Sequence, residues 1–176
     1  MGGTVPGLLV IAALVAAFGG MFAATNPRPA VASTANREAV LPKLPTDSGH
    51  GRRVVFDQSD QRVWLVASGG DVERSYLVTG SKWDNLRPGS YRVKSKTRQA
   101  RTYGGGGTFE YFVKFAQGQT AAIGFHAVTV RNNGTLVYGR TDLGKARTPG
   151  CVEAMRADAA ALWDFAPVGT SVVVTA

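Results

Sequence analysis

One cysteine and two histidines are present in 176 residues. A lone Cys151 excludes an intramolecular disulfide and a cysteine-based zinc cage. His50 and His126 stand too far apart in sequence for a compact metal motif. No metal and no other cofactor is therefore expected, and His50 is read as a solvated bystander. Acidic residues are also short, 12 against 20 Lys and Arg, for a net charge of +8. Residues 1–50 hold Arg28, Arg37 and Lys43 against Glu38 and Asp47, a net +1, which leaves +7 for residues 51–176. A basic domain of this kind favours an anionic neighbour: nucleic acid, anionic lipid or anionic wall polymer. No recognised nucleic-acid platform of interleaved basic and aromatic residues is present, and charge alone leaves the partner open.

Charge is missing altogether from Gly7 to Ala24. As a helix this apolar run spans roughly 27 Å, close to the hydrocarbon core of a bilayer. A hydrophobic helix over residues 1–25 is expected, serving as a signal peptide or a membrane anchor. The two remain open, because Met1–Pro6 has no Lys or Arg and the small-residue pattern Ala30-Val-Ala32 lies far past the apolar core. Residues 26–51 carry Pro27, Pro29, Pro42 and Pro45 among Ala, Ser and Thr, a composition that reads as a semi-extended linker.

From Arg52 the apolar period changes to two. Val54–Asp57 and Gln61–Val66 flank a turn and read as a hairpin. Further strands are expected through Ser75–Thr79, Leu86–Val93, Thr108–Phe115, Thr120–His126, Leu136–Tyr138 and Thr170–Val174. Many short strands with one evident helix indicate a mostly-β domain over residues 52–176, sandwich- or barrel-like. Arg87, Arg92, Lys94, Lys96, Arg98 and Arg101 cluster ahead of Gly104–Gly107. They are either a solvated strand face that resists edge pairing or a basic lip for an anionic polymer. The four glycines lack the Lys-Ser/Thr of a phosphate-binding loop.

Cys151 follows Gly150, and Val152, Met155, Ala159, Leu162, Trp163 and Ala166 recur behind it at helical spacing. This predicts a main helix directly after the cysteine. A thiol at a helix mouth with a histidine in folding reach is a candidate nucleophile, with His126 as its base. Backbone N–H groups around Gly150 and Cys151 are candidate oxyanion donors. Against this stand a small buried Cys and a hydrogen-bonded strand His.

The chain resembles the L,D-transpeptidase catalytic-domain family (YkuD-like) of bacterial cell-wall enzymes from about Arg53 to Val174. The opening hairpin Val54–Leu65, the segments Tyr76–Gly80 and Arg87–Tyr91, Ile123-Gly-Phe-His126 and Thr148-Pro-Gly-Cys-Val152 carry the likeness, with Asp158-Ala159 and Ala166–Thr170 at its end. The resemblance implies that Cys151 attacks a carbonyl of a donor stem tetrapeptide and releases its terminal D-Ala. His126 would act as general base and acid, oriented by the carbonyl of Ala127, with Gly150 and Thr148 at the oxyanion and substrate side. The acyl group would pass to the side-chain amine of a second stem, forming a crosslink. It implies peptidoglycan stem peptides as partners, with anionic wall polymers as a further candidate, a cell-envelope location reached by the N-terminal segment, and no nucleic acid.

Two residues depart from the family pattern. Pro149 stands where a His is common, and Glu153 where an Arg commonly follows the Cys-Ile/Val pair. Glu153 reverses the local charge and disfavours a thiolate, unless Arg147 or Arg156 meets it. Two alternatives follow: a catalytically weak or inactive wall-binding module, and a sortase-like cysteine transpeptidase. The latter calls for an Arg on a strand shortly after the cysteine, where a helix is expected here.

Overall fold

The computed structural model describes residues 2–3 and 42–176. The apolar run Gly7–Ala24 and the linker up to residue 41 lie outside the described residues, and with them the signal-or-anchor expectation. In chain order the strands are β1 (Arg53–Asp57), β2 (Arg62–Val66), β3 (Val72–Leu77), β4 (Gly89–Arg92) and β5 (Ser95–Arg101). There follow β6 (Gly107–Gln117), β7 (Ala122–Ala127), β8 (Val130–Arg131), β9 (Val152–Ala154), the helix α1 (Arg156–Phe165) and β10 (Ser171–Thr175). Among the described residues, the expected mostly-β fold with one α-helix after the cysteine is the fold observed, with a short 3-10 turn at Arg140–Asp142.

Alternation builds two sheets. The first has the order β3-β2-β1-β10-β4 and the second β5-β6-β7-β9, with β8 paired to β6. Inner-face residues Val54, Phe56, Val172 and Val174 of the first meet Val113, Phe115, Ile123 and Phe125 of the second in one core. Phe125 stands at the contact, edge-on to Phe56 at 6.4 Å and stacked on Phe115 at 4.7 Å. Burying each such side chain contributes about 1.5–3 kcal/mol. Helix α1 adds Ala159, Leu162 and Phe165 to the same core.

The first sheet is buried on its outer face as well. Val55, Trp64, Val66 and Val173 form a second cluster there, against which Leu44 and Val72 pack. Trp64 Nε1 donates to the Pro42 carbonyl at 2.9 Å. The buried Arg53 donates to Ser48 O at 2.6 Å and Gly51 O at 2.8 Å. Composition suggests an extended linker up to Gly51, yet from Pro42 the chain straps this face, because Trp64 and its neighbours offer apolar surface to cover.

Two local expectations, the strand at Leu136–Tyr138 and the helix start, give way to tertiary pairing, while the basic cluster falls on strand edges. Leu136–Tyr138 forms no strand: Asn133-Gly134 turns the chain sharply, and only a single bridge joins Leu136 to Val130. Half of the basic cluster, Lys96, Arg98 and Arg101, lies on the edge strand β5, and its cations are partly engaged within the protein. Lys96 Nζ donates to Trp163 O, and Arg98 pairs with Glu110 at 2.8 Å. Lastly, the helix does not begin behind Cys151. Val152 and Ala154 are drawn into a parallel ladder with Phe125 and Ala127, and the helix starts only at Arg156.

Candidate active site

The site is assembled on that parallel ladder. His126 on β7 registers opposite Glu153 on β9. Continued by one residue, the register sets Cys151 opposite Gly124, whose backbone hydrogen-bonds the thiol. Since side chains alternate along a strand, Phe125, Ala127, Val152 and Ala154 enter the core, while His126, Glu153 and Cys151 share the opposite face. Cys151 and His126 are thus diagonal neighbours. Gly124 must be glycine, because a Cβ there would lie 2.5 Å from Phe112 Cε2 and 2.6 Å from Val113 O.

The turn before Cys151 is fixed from inside. Thr148 is fully buried; its hydroxyl donates to Cys151 O at 2.6 Å and accepts from Gly150 N at 3.2 Å. Arg147 N and Thr148 N both donate to Gly80 O, at 3.0 and 2.9 Å. Gly80 N in turn donates to Gln61 Oε1. Thr79 and Glu153 exchange backbone hydrogen bonds at 2.9 and 2.8 Å. Thr148 is held beneath the turn, and Gly150 N–H is directed at its hydroxyl.

His126 is 4% exposed and stacks on Phe109 at 4.1 Å, with Phe112 edge-on at 5.9 Å. Nδ1 donates to Ala127 O at 2.8 Å, leaving Nε2 as the basic nitrogen. Burial lowers its pKa to about 4, opposed by the Ala127 bond. The half-buried Cys151 is directed at Ala122 O, 3.7 Å away; among the described residues no hydrogen bond joins it to the imidazole. Burial pushes the thiol up to about 11, the Gly124 bond pulls it down, and the charge of Glu153 adds to the rise. Without a helix mouth at Cys151, the dipole that would favour a thiolate is also missing. At neutral pH the pair is thiol and imidazole.

Glu153 is buried, 6% exposed, with Oε2 accepting from Thr129 N at 3.1 Å and Oε1 lying 4.0 Å from His126 Nε2. Burial raises its pKa to about 7, partly offset by the Thr129 bond. Neither expected arginine meets it: Arg147 pairs with Asp142 at 3.2 Å, and Arg156 with Glu110. Both are drawn outward to solvent-side carboxylates.

Cys151 opens into a cleft of about 820 Å³ that Trp83, Asp84, Asn85 and Tyr103 also line. Trp83 is exposed at the rim and Tyr103 fully so. Sequence reading passed over these two, although an aromatic set among turn-forming residues (Lys82–Asn85, or ahead of Gly104) is a recognisable signal for a binding rim. His126 does not line this cleft; it lies stacked on Phe109 and 4.0 Å from Glu153. Among the described residues no three His, Cys, Asp or Glu side chains converge as metal ligands.

These features place the chain among two-sheet β proteins that carry an imidazole on one strand and a thiol at the entry to its parallel neighbour. Residues 51–174 match the family model YkuD, L,D-transpeptidase catalytic domain, and the chain belongs to that family. Among solved structures it is similar to an L,D-transpeptidase from Mycobacterium smegmatis, with 16% identity and a TM-score of 0.59, covering 73% of this chain and 60% of that one. An L,D-transpeptidase from Stackebrandtia nassauensis gives 19%, 0.56, 74% and 59% in the same order. LD transpeptidase LdtMt1 in complex with imipenem gives 18%, 0.58, 72% and 60%. The chain thus spans about 60% of the length of the solved proteins it resembles. No curated protein matches. Membership of this family removes the sortase-like alternative. A strand does follow the cysteine, but β9 carries Glu153 and no Arg.

Proposed function

We propose that this chain is a peptidoglycan L,D-transpeptidase of the cell envelope, with Cys151 as nucleophile and His126 as general base and acid. The observation that carries the reading is the diagonal placement of both groups on one face of the β7–β9 ladder, with the thiol opening into the Trp83–Tyr103 cleft. Rotation about the Cys151 Cα–Cβ bond, between staggered wells, turns the sulfur from Ala122 toward the imidazole. The S–H proton passes to Nε2 and the sulfur attacks the donor stem carbonyl. The proton then leaves with the amine of the departing D-Ala, yielding an acyl-enzyme. A side-chain amine of a second stem reverses these steps and takes the acyl group. With Gly150 N–H engaged by Thr148, the Cys151 N–H is the oxyanion donor that remains near the sulfur.

Ala127 serves through its carbonyl, which fixes the imidazole tautomer. An anionic wall polymer is a weaker partner, since Lys96 and Arg98 already bind groups of the protein itself. A second reading, an inactive wall-binding module, draws on the raised thiol and the carboxyl beside it.

The test is intact-mass spectrometry of the full chain incubated with a carbapenem. One covalent adduct per chain is expected, and Cys151→Ala should abolish it while circular dichroism is unchanged. A folded wild type that forms no adduct would favour the binding module.

A further inference from the structure

Among the described residues, Glu153 is the one buried carboxyl on the face that holds the thiol and the imidazole, and the mechanism above leaves it unused. From β7 comes His126 Nε2 at 4.0 Å, beyond hydrogen-bond range and within strong Coulombic range. The chain just after β7 supplies Thr129 N–H at 3.1 Å, and Thr79 on the other side supplies only backbone groups. Cys151 shares its strand direction and feels its charge, as does the phenol of Tyr138, which itself sits among Arg147, Asp142 and Arg131. Among the described residues, His126 is the one basic group within ion-pair distance of Glu153.

Resting on the transpeptidase reading, we propose that Glu153 is a positioning residue of the transfer reaction: its carboxylate is the counter-charge for the imidazolium that His126 becomes on taking the Cys151 proton. A buried, aromatic-walled imidazole resists protonation, so it is a poor base by itself. A carboxylate facing the nitrogen that gains the proton lowers the cost of that step. The same charge opposes a bare thiolate, but it does not oppose a thiolate–imidazolium pair, whose net charge is zero. Proton count is conserved throughout: the S–H proton moves to Nε2 and then to the leaving amine, and Glu153 takes up none. The contact with Thr129 N holds the carboxylate in place without consuming the oxygen that faces His126.

Two predictions separate this from a silencing role. Burial holds Glu153 protonated until about pH 7, so the rate of carbapenem acylation should climb through that pH as the carboxylate forms. Glu153→Gln keeps the shape and the Thr129 bond but not the charge. It should lower the acylation rate at pH 8 by about tenfold to a hundredfold, the scale of a group acting through a general base, and remove the step near neutrality. Glu153→Asp, which keeps the charge, should recover part of the rate and the step.

The measurement is the second-order acylation rate of the full chain by intact mass between pH 5.5 and 9, with melting curves as the check on folding. A Gln variant that acylates as fast or faster with the wild-type profile would overturn the proposal, as would a wild-type rate with no rise near pH 7. Failure of wild type to form any Cys151-dependent adduct would instead sink the transpeptidase reading.

Discussion

A buried imidazole and a buried carboxyl 4.0 Å apart respond to burial in opposite directions. Glu153 moves from 4.5 to about 7, so its share of stability is fully present below 4.5 and is lost as pH rises through 7. His126 moves from 6.5 to about 4, so its share is present above 6.5 and is lost as pH falls through 4. Between 4.5 and 6.5 the two slopes cancel, because the folded and unfolded pair hold the same number of protons. Replacing Glu153 by Gln removes one slope. Urea unfolding should therefore show the variant gaining on wild type by about 3 kcal/mol between pH 4.5 and 7, the linkage of a shift of that size. A difference that stays constant with pH would mean that Glu153 titrates normally in the folded chain. At this scale the sequence was informative about identities. Cys151, His126 and the odd Glu153 stood out from the motifs, but whether Glu153 met Arg147, Arg156 or His126 depended on strand register.

At the scale of elements, the edge between strap and sheet shows what composition conceals. Pro, Ala, Ser and Thr before Gly51 suggest chain with nothing to bury, and no periodicity marks Leu44 as a packing residue. The reason it packs lies on β1 and β2, whose outer residues Val55, Trp64 and Val66 are apolar too. Arg53 holds this strap through Ser48 and Gly51. Arg53→Ala should cost about 2–3 kcal/mol in urea unfolding, the worth of hydrogen bonds from a buried charged group. Acylation should be unchanged, because the strap lies on the sheet face opposite the core and away from Cys151. Loss of acylation in a folded Arg53→Ala chain would contradict that separation. The helix shows the converse error: Val152 and Met155 fit a 3.6-residue period, yet pairing with β7 and Thr79 claims residues 152–154 for a strand.

Across the whole molecule, the site depends on a residue distant in sequence. Gln61 adopts a left-handed φ of 47°, buries its side chain, and joins Gln58 O at 2.7 Å to Gly80 N. Gly80 O then anchors Arg147 and Thr148, and Thr148 shapes the turn into Cys151. Gln61→Ala leaves a buried N–H unpaired and should cost about 2 kcal/mol. Unlike Arg53→Ala, it should also slow adduct formation, since the turn loses its support. Equal acylation at full folding would show that the turn is held by Thr148 alone.

The sequence by itself determined the alternating strands, the hairpin at Val54–Val66, a helix following the cysteine, and the presence of one thiol and one nearby histidine, because these are local patterns or simple counts. Only the tertiary structure decided that Cys151 stands at the entry to a strand instead of at a helix mouth, that Gly150 N–H is directed at Thr148, that Trp83 and Tyr103 rim the cleft, and that Glu153 faces His126. Each of these follows from which strands pair and in what register. Pairing is set by burying apolar faces across the whole chain, and no local window of residues contains that information.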